Sequence, residues 1–147
     1  MGALNNKTMI HYAGNEMLIG ISPSGHAQTM DLNSSRNAAA TPLELLLIAL
    51  GSCTASDVIE ILHKKRQLVT DYRVEVHGER RAEFPRSFTK LFVHHIVKGH
   101  SIAPEAVSQA IRLSDEKYCS VAATIRPGAE IVTTFQIIED DGLADPL

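Results

Sequence analysis

The sequence predicts an α+β fold in the order strands, helix, strands, helix, strand. Three observations carry that prediction. A helix-start signature stands ahead of a long apolar stretch at 41–50, apolar and polar residues alternate over 71–81, and turn residues cut the N-terminal third into short segments.

Between Met9 and Met30, Ala13-Gly14-Asn15 and Ser22-Pro23-Ser24-Gly25 separate short apolar runs. Gly and Asn tolerate positive φ and Pro presets a bend, so these runs read as three short antiparallel strands. Residues 31–41 read as a surface loop. Thr41-Pro42-Leu43-Glu44 then combines an N-cap, a proline at the first helical position and a capping-box glutamate. The helix runs from Leu43 to about Arg66. Its first half is apolar on nearly every face and should be deeply buried, whereas Glu60, His63, Lys64, Lys65 and Arg66 make its last turns polar.

From Asp71 to Arg81, Tyr72, Val74, Val76 and Gly78 oppose Arg73, Glu75, His77 and Glu79, the pattern of a strand with one wet face. Phe84-Pro85-Arg86 interrupts it, and Phe88 to Val97 supplies a partner strand, so the two make a long hairpin. The mixed charges at Glu79-Arg80-Arg81-Ala82-Glu83 suit a solvated hairpin end better than an anion site. Pro104 opens a second helix with Ala106, Val107, Ala110, Ile111 and Leu113 as its apolar stripe. Residues 118–123 read as a turn or short helical piece, 129–138 as the last strand, and the tail from Asp140 as frayed.

The 147 residues fit one domain, and 44% apolar with 21% charged residues are the proportions of a chain that buries a core rather than staying disordered. A net charge of −3 argues against nucleic-acid binding, which needs clustered Lys and Arg. The apolar run Leu43–Leu50, interrupted by Glu44, is too short for a membrane span. No basic segment followed by an apolar one opens the chain, so the expected location is the cytoplasm. One chain of this length has too little sheet to cover the long apolar helix on all sides, and a homodimer sharing its helices resolves that burial problem.

Two cysteines in a reducing compartment seldom form a permanent staple and are too few for a four-thiolate zinc site. Cys53 lies among small residues, Leu50-Gly51-Ser52-Cys53-Thr54-Ala55-Ser56. Gly51 inside a helix costs about 1 kcal/mol relative to Ala, which points to close approach by a backbone, a substrate or a second helix. Either cysteine can be a small buried hydrophobe, or a nucleophile if its thiolate is favoured. Cys119 gains local activation if residues 119–123 begin a helix. Asp57, one turn after Cys53, opposes a thiolate if it faces the same pocket and is otherwise a surface carboxylate. The seven histidines show no ligand spacing, and His94 and His95 point to opposite faces of a strand. No metal, flavin or nucleotide is expected, and no Gly-rich phosphate loop is present.

Thr41-Pro42-Leu43-Glu44-Leu45-Leu46-Leu47, Gly51-Ser52-Cys53 and Glu116-Lys117-Tyr118-Cys119-Ser120-Val121 together resemble the OsmC/Ohr family, and most closely its OsmC-like, YhfA-like branch. The likeness extends through Gly78-Glu79-Arg80-Arg81 and Phe88-Thr89. It implies antiparallel sheets wrapped around long central helices in an intertwined homodimer, a single domain over residues 1–147. It also implies reduction of organic hydroperoxides, with Cys53 as the peroxidatic and Cys119 as the resolving residue, and a lipoylated protein or small dithiol as reductant.

In that family an arginine and a glutamate assist the first cysteine. The glutamate directly follows the proline, whereas here Leu43 holds that place and Glu44 comes one position later, turned by about 100° around the helix. No arginine precedes Arg36, and Ser120 stands where a proline commonly follows the second cysteine. These departures keep two other readings open: a noncatalytic dimeric module that binds a small ligand, and a thiol–disulfide oxidoreductase acting on protein clients.

Overall fold

The computed structural model of the chain describes residues 6–147. The expectation that no leader opens the chain falls partly on residues 1–5, which lie outside the described residues. The chain divides into two compact units, one up to Leu46 and one from Leu47 to Leu147.

In the first unit β1 (Met9–Gly14), β2 (Met17–Ile21) and β3 (Ala27–Asp31) form the expected antiparallel meander. Asn15 and Glu16 both take positive φ, 51° and 59°, as a tight hairpin turn requires. The loop after β3 is pinned by one ion pair: Arg36 donates to Asp31 from Nε at 2.9 Å and from Nη2 at 2.7 Å. The same Nη2 donates to the Asn15 carbonyl. That guanidinium holds the Asp31 carboxyl far below the usual carboxylate range.

Helix α1 (Pro42–Lys64) begins in this unit with the predicted capping box. Glu44 N donates to Thr41 Oγ1, and Thr41 N donates to Glu44 Oε2 at 2.7 Å. The helix gives way at Arg66, whose φ of 55° turns the chain aside.

The second unit carries β4 (Leu68–Arg80), β5 (Phe88–His100) and β6 (Glu130–Glu139) in that spatial order. β4 and β5 form the long hairpin, β4 beginning before the expected Asp71, and the alternation of Tyr72, Val74, Val76 and Gly78 against exposed neighbours holds throughout. β6 runs parallel to β5. The expected antiparallel arrangement therefore covers the meander and the hairpin, while the last strand is reached by a crossover through α2 (Pro104–Leu113) and α3 (Ser120–Ile125), which returns the chain in the same direction. The tail is not frayed at its start. Asp140 is buried and accepts from Thr70 Oγ1 at 2.6 Å, and Leu147 N donates to the Val69 carbonyl at 2.7 Å.

Two apolar clusters fill the second unit. One gathers Val58, Leu62, Val69, Val97, Ile102, Val107, Ala110 and Ile111. The other gathers Leu50, Leu91, Val93, Cys119, Ala122 and Ala129. By length and composition α1 is apolar enough to cross a membrane, which the shorter run Leu43–Leu50 had excluded; Leu50, Val58 and Leu62 enter these clusters, while most of the helix is not buried within this chain. Deep burial of its first half is not reached within one chain: Ile48 is 56% exposed. Gly51 is explained by close packing, since a Cβ there would stand 3.0 Å from Val76 Cγ2 of β4.

A candidate dithiol site

Three of the segments that run between the two clusters cross on a buried polar side chain. On α1 it is Thr54, between Leu50 and Val58; on β5 it is His95, between Val93 and Val97; after α2 it is Ser114, between Ile111 and Cys119. All three are buried, and a polar side chain in that setting needs a partner. Ser114 Oγ donates to Asp57 Oδ2 at 2.9 Å and lies 3.1 Å from Thr54 Oγ1. His95 Nδ1 meets the Tyr72 hydroxyl at 2.6 Å.

Cys119 is placed by an irregularity in the backbone. After α2 the chain widens into a π-helical turn over Ser114–Tyr118, closed by Cys119 N donating to the Ser114 carbonyl at 2.9 Å. Such a turn widens the helix locally and re-aims the residues after it. Cys119 then sits at the N-cap of α3, and its sulfur accepts from Ala122 N at 3.4 Å. The condition set by the sequence, that a helix begin at Cys119, is met.

Local activation nonetheless loses. Burial, the strongest influence, pushes the Cys119 thiol up to about 11, and the nearby Cys53 sulfur and Asp57 charge push the same way against the Ala122 N–H. Dehydration of a thiolate outweighs one helix-terminal hydrogen bond.

Cys53, half-buried on α1, and Cys119, buried, are both reduced. The two Sγ atoms and a carboxylate oxygen of Asp57 all lie within 4.8 Å of one another. Cys53 and Asp57 stand one helical turn apart and so share a face. Asp57 is therefore no ordinary surface carboxylate, and beside Cys53 it is this anion whose charge acts on the Cys119 thiol. The sequence flagged both sulfurs and Asp57 but missed Ser114 and Thr54, whose role depends on tertiary contact.

The helpers implied by resemblance have partners within the first unit. Glu44 is exposed and its carboxylate caps α1 at Thr41, while Arg36 is held by Asp31. His94 and His95 point to opposite faces as expected: His94 Nδ1 pairs with Thr134 Oγ1 at 2.8 Å, and His95 turns into the core.

A two-cysteine site between a long helix and a short helical N-cap, on a mixed α+β frame, defines a class of small dithiol proteins. Similarity to known proteins narrows it. The family model described as OsmC-like protein matches residues 35–134. Protein YhfA of Escherichia coli strain K12 is 43% identical over 120 residues, 82% of this chain and 89% of that protein. A solved hypothetical protein from Aquifex aeolicus superposes with a TM-score of 0.82 at 27% identity, covering 92% of this chain and 98% of that one. An organic hydroperoxide resistance protein OsmC from Legionella pneumophila shares the fold, with a TM-score of 0.68 at 13% identity over 92% of this chain and 99% of that one. The chain belongs to the OsmC-like family.

Proposed function

We propose that the chain is a homodimeric dithiol peroxidase that reduces organic hydroperoxides in the cytoplasm. The carrying observation is the convergence of the Cys53 and Cys119 sulfurs within 4.8 Å, with Cys53 the less buried of the two. The name of the Legionella relative supports the substrate class.

In this reading the Cys53 thiolate attacks one peroxide oxygen. The O–O bond breaks, the alkoxide leaves and takes up a proton as the alcohol, and Cys53 becomes a sulfenic acid. Cys119 attacks that sulfur and expels water, closing the Cys53–Cys119 disulfide; the two electrons given to the peroxide come from the two thiols. A small dithiol or lipoylated protein returns two electrons and two protons. Because burial and its neighbours push the Cys119 thiol up to about 11, Cys119 is disfavoured as the attacking thiolate and takes the resolving role. Asp57 is the adjacent group able to accept the Cys53 proton. Closing the disulfide needs the sulfurs to approach by about 2–3 Å, within the range of side-chain rotation.

The homodimer is supported by the uncovered side of α1. Ile48 is exposed, and Leu47, Ile48, Gly51, Ala55, Val74 and Val76 line a groove of about 340 Å³ suited to an apolar surface of a second copy.

Stopped-flow mixing of the reduced protein with an alkyl hydroperoxide tests the reaction. The expected result is rapid loss of one thiol followed by the second, an accumulating sulfenic acid in Cys119→Ser, and no reaction in Cys53→Ser. Oxidation no faster than that of free cysteine overturns it and leaves the noncatalytic ligand-binding reading, which the engagement of Arg36 with Asp31 favours.

A further inference from the structure

We propose that Cys53, Asp57 and Cys119 form a binding site for a thiophilic divalent cation of the zinc class. The inference stands on geometry and charge and does not require the peroxide reaction.

Three donor atoms of the right kind already face one point. Cys53 and Asp57 come from successive turns of α1, Cys119 comes from the N-cap of α3, and their ligand atoms lie within 4.8 Å of one another. Around a tetrahedral zinc ion, with Zn–S about 2.3 Å and Zn–O about 2.1 Å, ligand atoms stand roughly 3.5–3.8 Å apart. A contraction of about 1 Å completes that geometry. Two sulfurs and one carboxylate suit a borderline-soft cation and not magnesium or calcium, which take oxygen ligands. Three protein ligands leave a fourth position for water.

The surroundings fit a cation as well. Ser114 donates to Asp57 Oδ2 at 2.9 Å and is braced by Thr54, the arrangement by which an outer hydrogen bond fixes the orientation of a ligating carboxylate. Bound as two thiolates and a carboxylate, the ligands would carry three negative charges, of which a dication offsets two. Of the three donors, Asp57 also lines a cleft of about 360 Å³, together with Glu60, Ile61, Lys64, Lys65 and Tyr118. Binding releases the thiol protons and occupies both sulfurs, so the bound cation keeps them from forming a disulfide, and a formed disulfide abolishes the site.

Titration of the reduced full-length protein with Co²⁺, without any oxidant, tests this separately from peroxide chemistry. The expected result is one ion per chain, a thiolate-to-cobalt charge-transfer band, the intense visible bands of tetrahedral cobalt, and displacement by Zn²⁺. The oxidised protein should show none of these. Asp57→Asn should weaken binding at least about tenfold, and Ser114→Ala by about tenfold through loss of carboxylate orientation. Cys53→Ala should remove most of the charge-transfer intensity, with circular dichroism confirming that each variant is folded. A weak octahedral spectrum without the charge-transfer band, or a titration unchanged in Asp57→Asn, overturns the site.

Discussion

The two apolar clusters of the second unit rest on the same helix and the same strands, yet they are built differently. The cluster around Val58, Leu62, Val69, Val97 and Val107 is built mainly of branched aliphatic side chains, with Ala106 and Ala110 among them, and these five are fully buried. The cluster around Leu50, Leu91 and Val93 is completed by Cys119, Ala122 and Ala129, with half-buried Cys53 packed against it. Bulk on one side supplies stability, whereas on the other side small side chains surround the two sulfurs. Thr54, His95 and Ser114 mark the seam between the two.

The contrast breaks if the two clusters respond alike to truncation. Leu62→Ala should cost about 3 kcal/mol, because a fully buried leucine loses its transfer energy and leaves a cavity. Cys119→Ala, in the reactive cluster, should cost only about 1 kcal/mol, the scale of one small apolar group. Urea unfolding of both variants measures the difference, and equal losses would show that the second cluster is as tightly packed as the first.

The seam sharpens the comparison through pH. Burial lowers His95 from 6.5 to about 4, with charge on His94 acting in the same direction. Between those two values the unfolded chain binds a proton that the folded chain refuses, so stability is greatest above pH 6.5 and falls as pH drops toward 4. The full drop corresponds to about 3 kcal/mol for this buried imidazole. Unfolding free energies measured across that range, alongside NMR titration of the His95 ring, check both sign and midpoint. A ring that protonates near 6.5 refutes the account.

How much of this was legible depended on how local the cause was. Thr41, Pro42 and Glu44 announced the start of α1 because a capping box is written within four residues, and Tyr72 to Gly78 announced β4 because alternation needs no partner. The chemistry at Cys119 was half legible: its N-cap place could be read, but the burial that overrides it belongs to residues distant in sequence. Asp57 looked like a surface carboxylate until Ser114, brought in by a π-helical turn, appeared as its donor. The parallel direction of β6 and the anchored Asp140 were hidden for the same reason, since the crossover and Thr70 lie far along the chain.

Ser114→Ala probes the seam directly with a smaller effect. It removes a buried donor to a carboxylate and should cost about 2 kcal/mol, as hydrogen bonds to charged groups do. Because Thr54 Oγ1 lies 3.1 Å from the same hydroxyl, the double variant with Thr54→Val should cost less than the sum of the two single changes. Additive losses would mean that the two hydroxyls act independently and that the seam is not one network.

The smallest effect tests why α1 carries a glycine where it crosses toward the reactive cluster. Gly51→Ala gains helix propensity of about 1 kcal/mol, but the new Cβ stands 3.0 Å from Val76 Cγ2, closer than a methyl group accepts without displacement. The two effects oppose each other, and the single variant should change stability by no more than about 0.5 kcal/mol. Val76→Ala removes the obstructing methyl groups, so Gly51→Ala made in that background should recover most of the propensity gain. A double-mutant cycle by urea unfolding reads the coupling. If Gly51→Ala stabilises the protein fully with Val76 in place, the close approach of α1 to β4 is not what requires the glycine, and room for a reactant beside Cys53 becomes its better explanation.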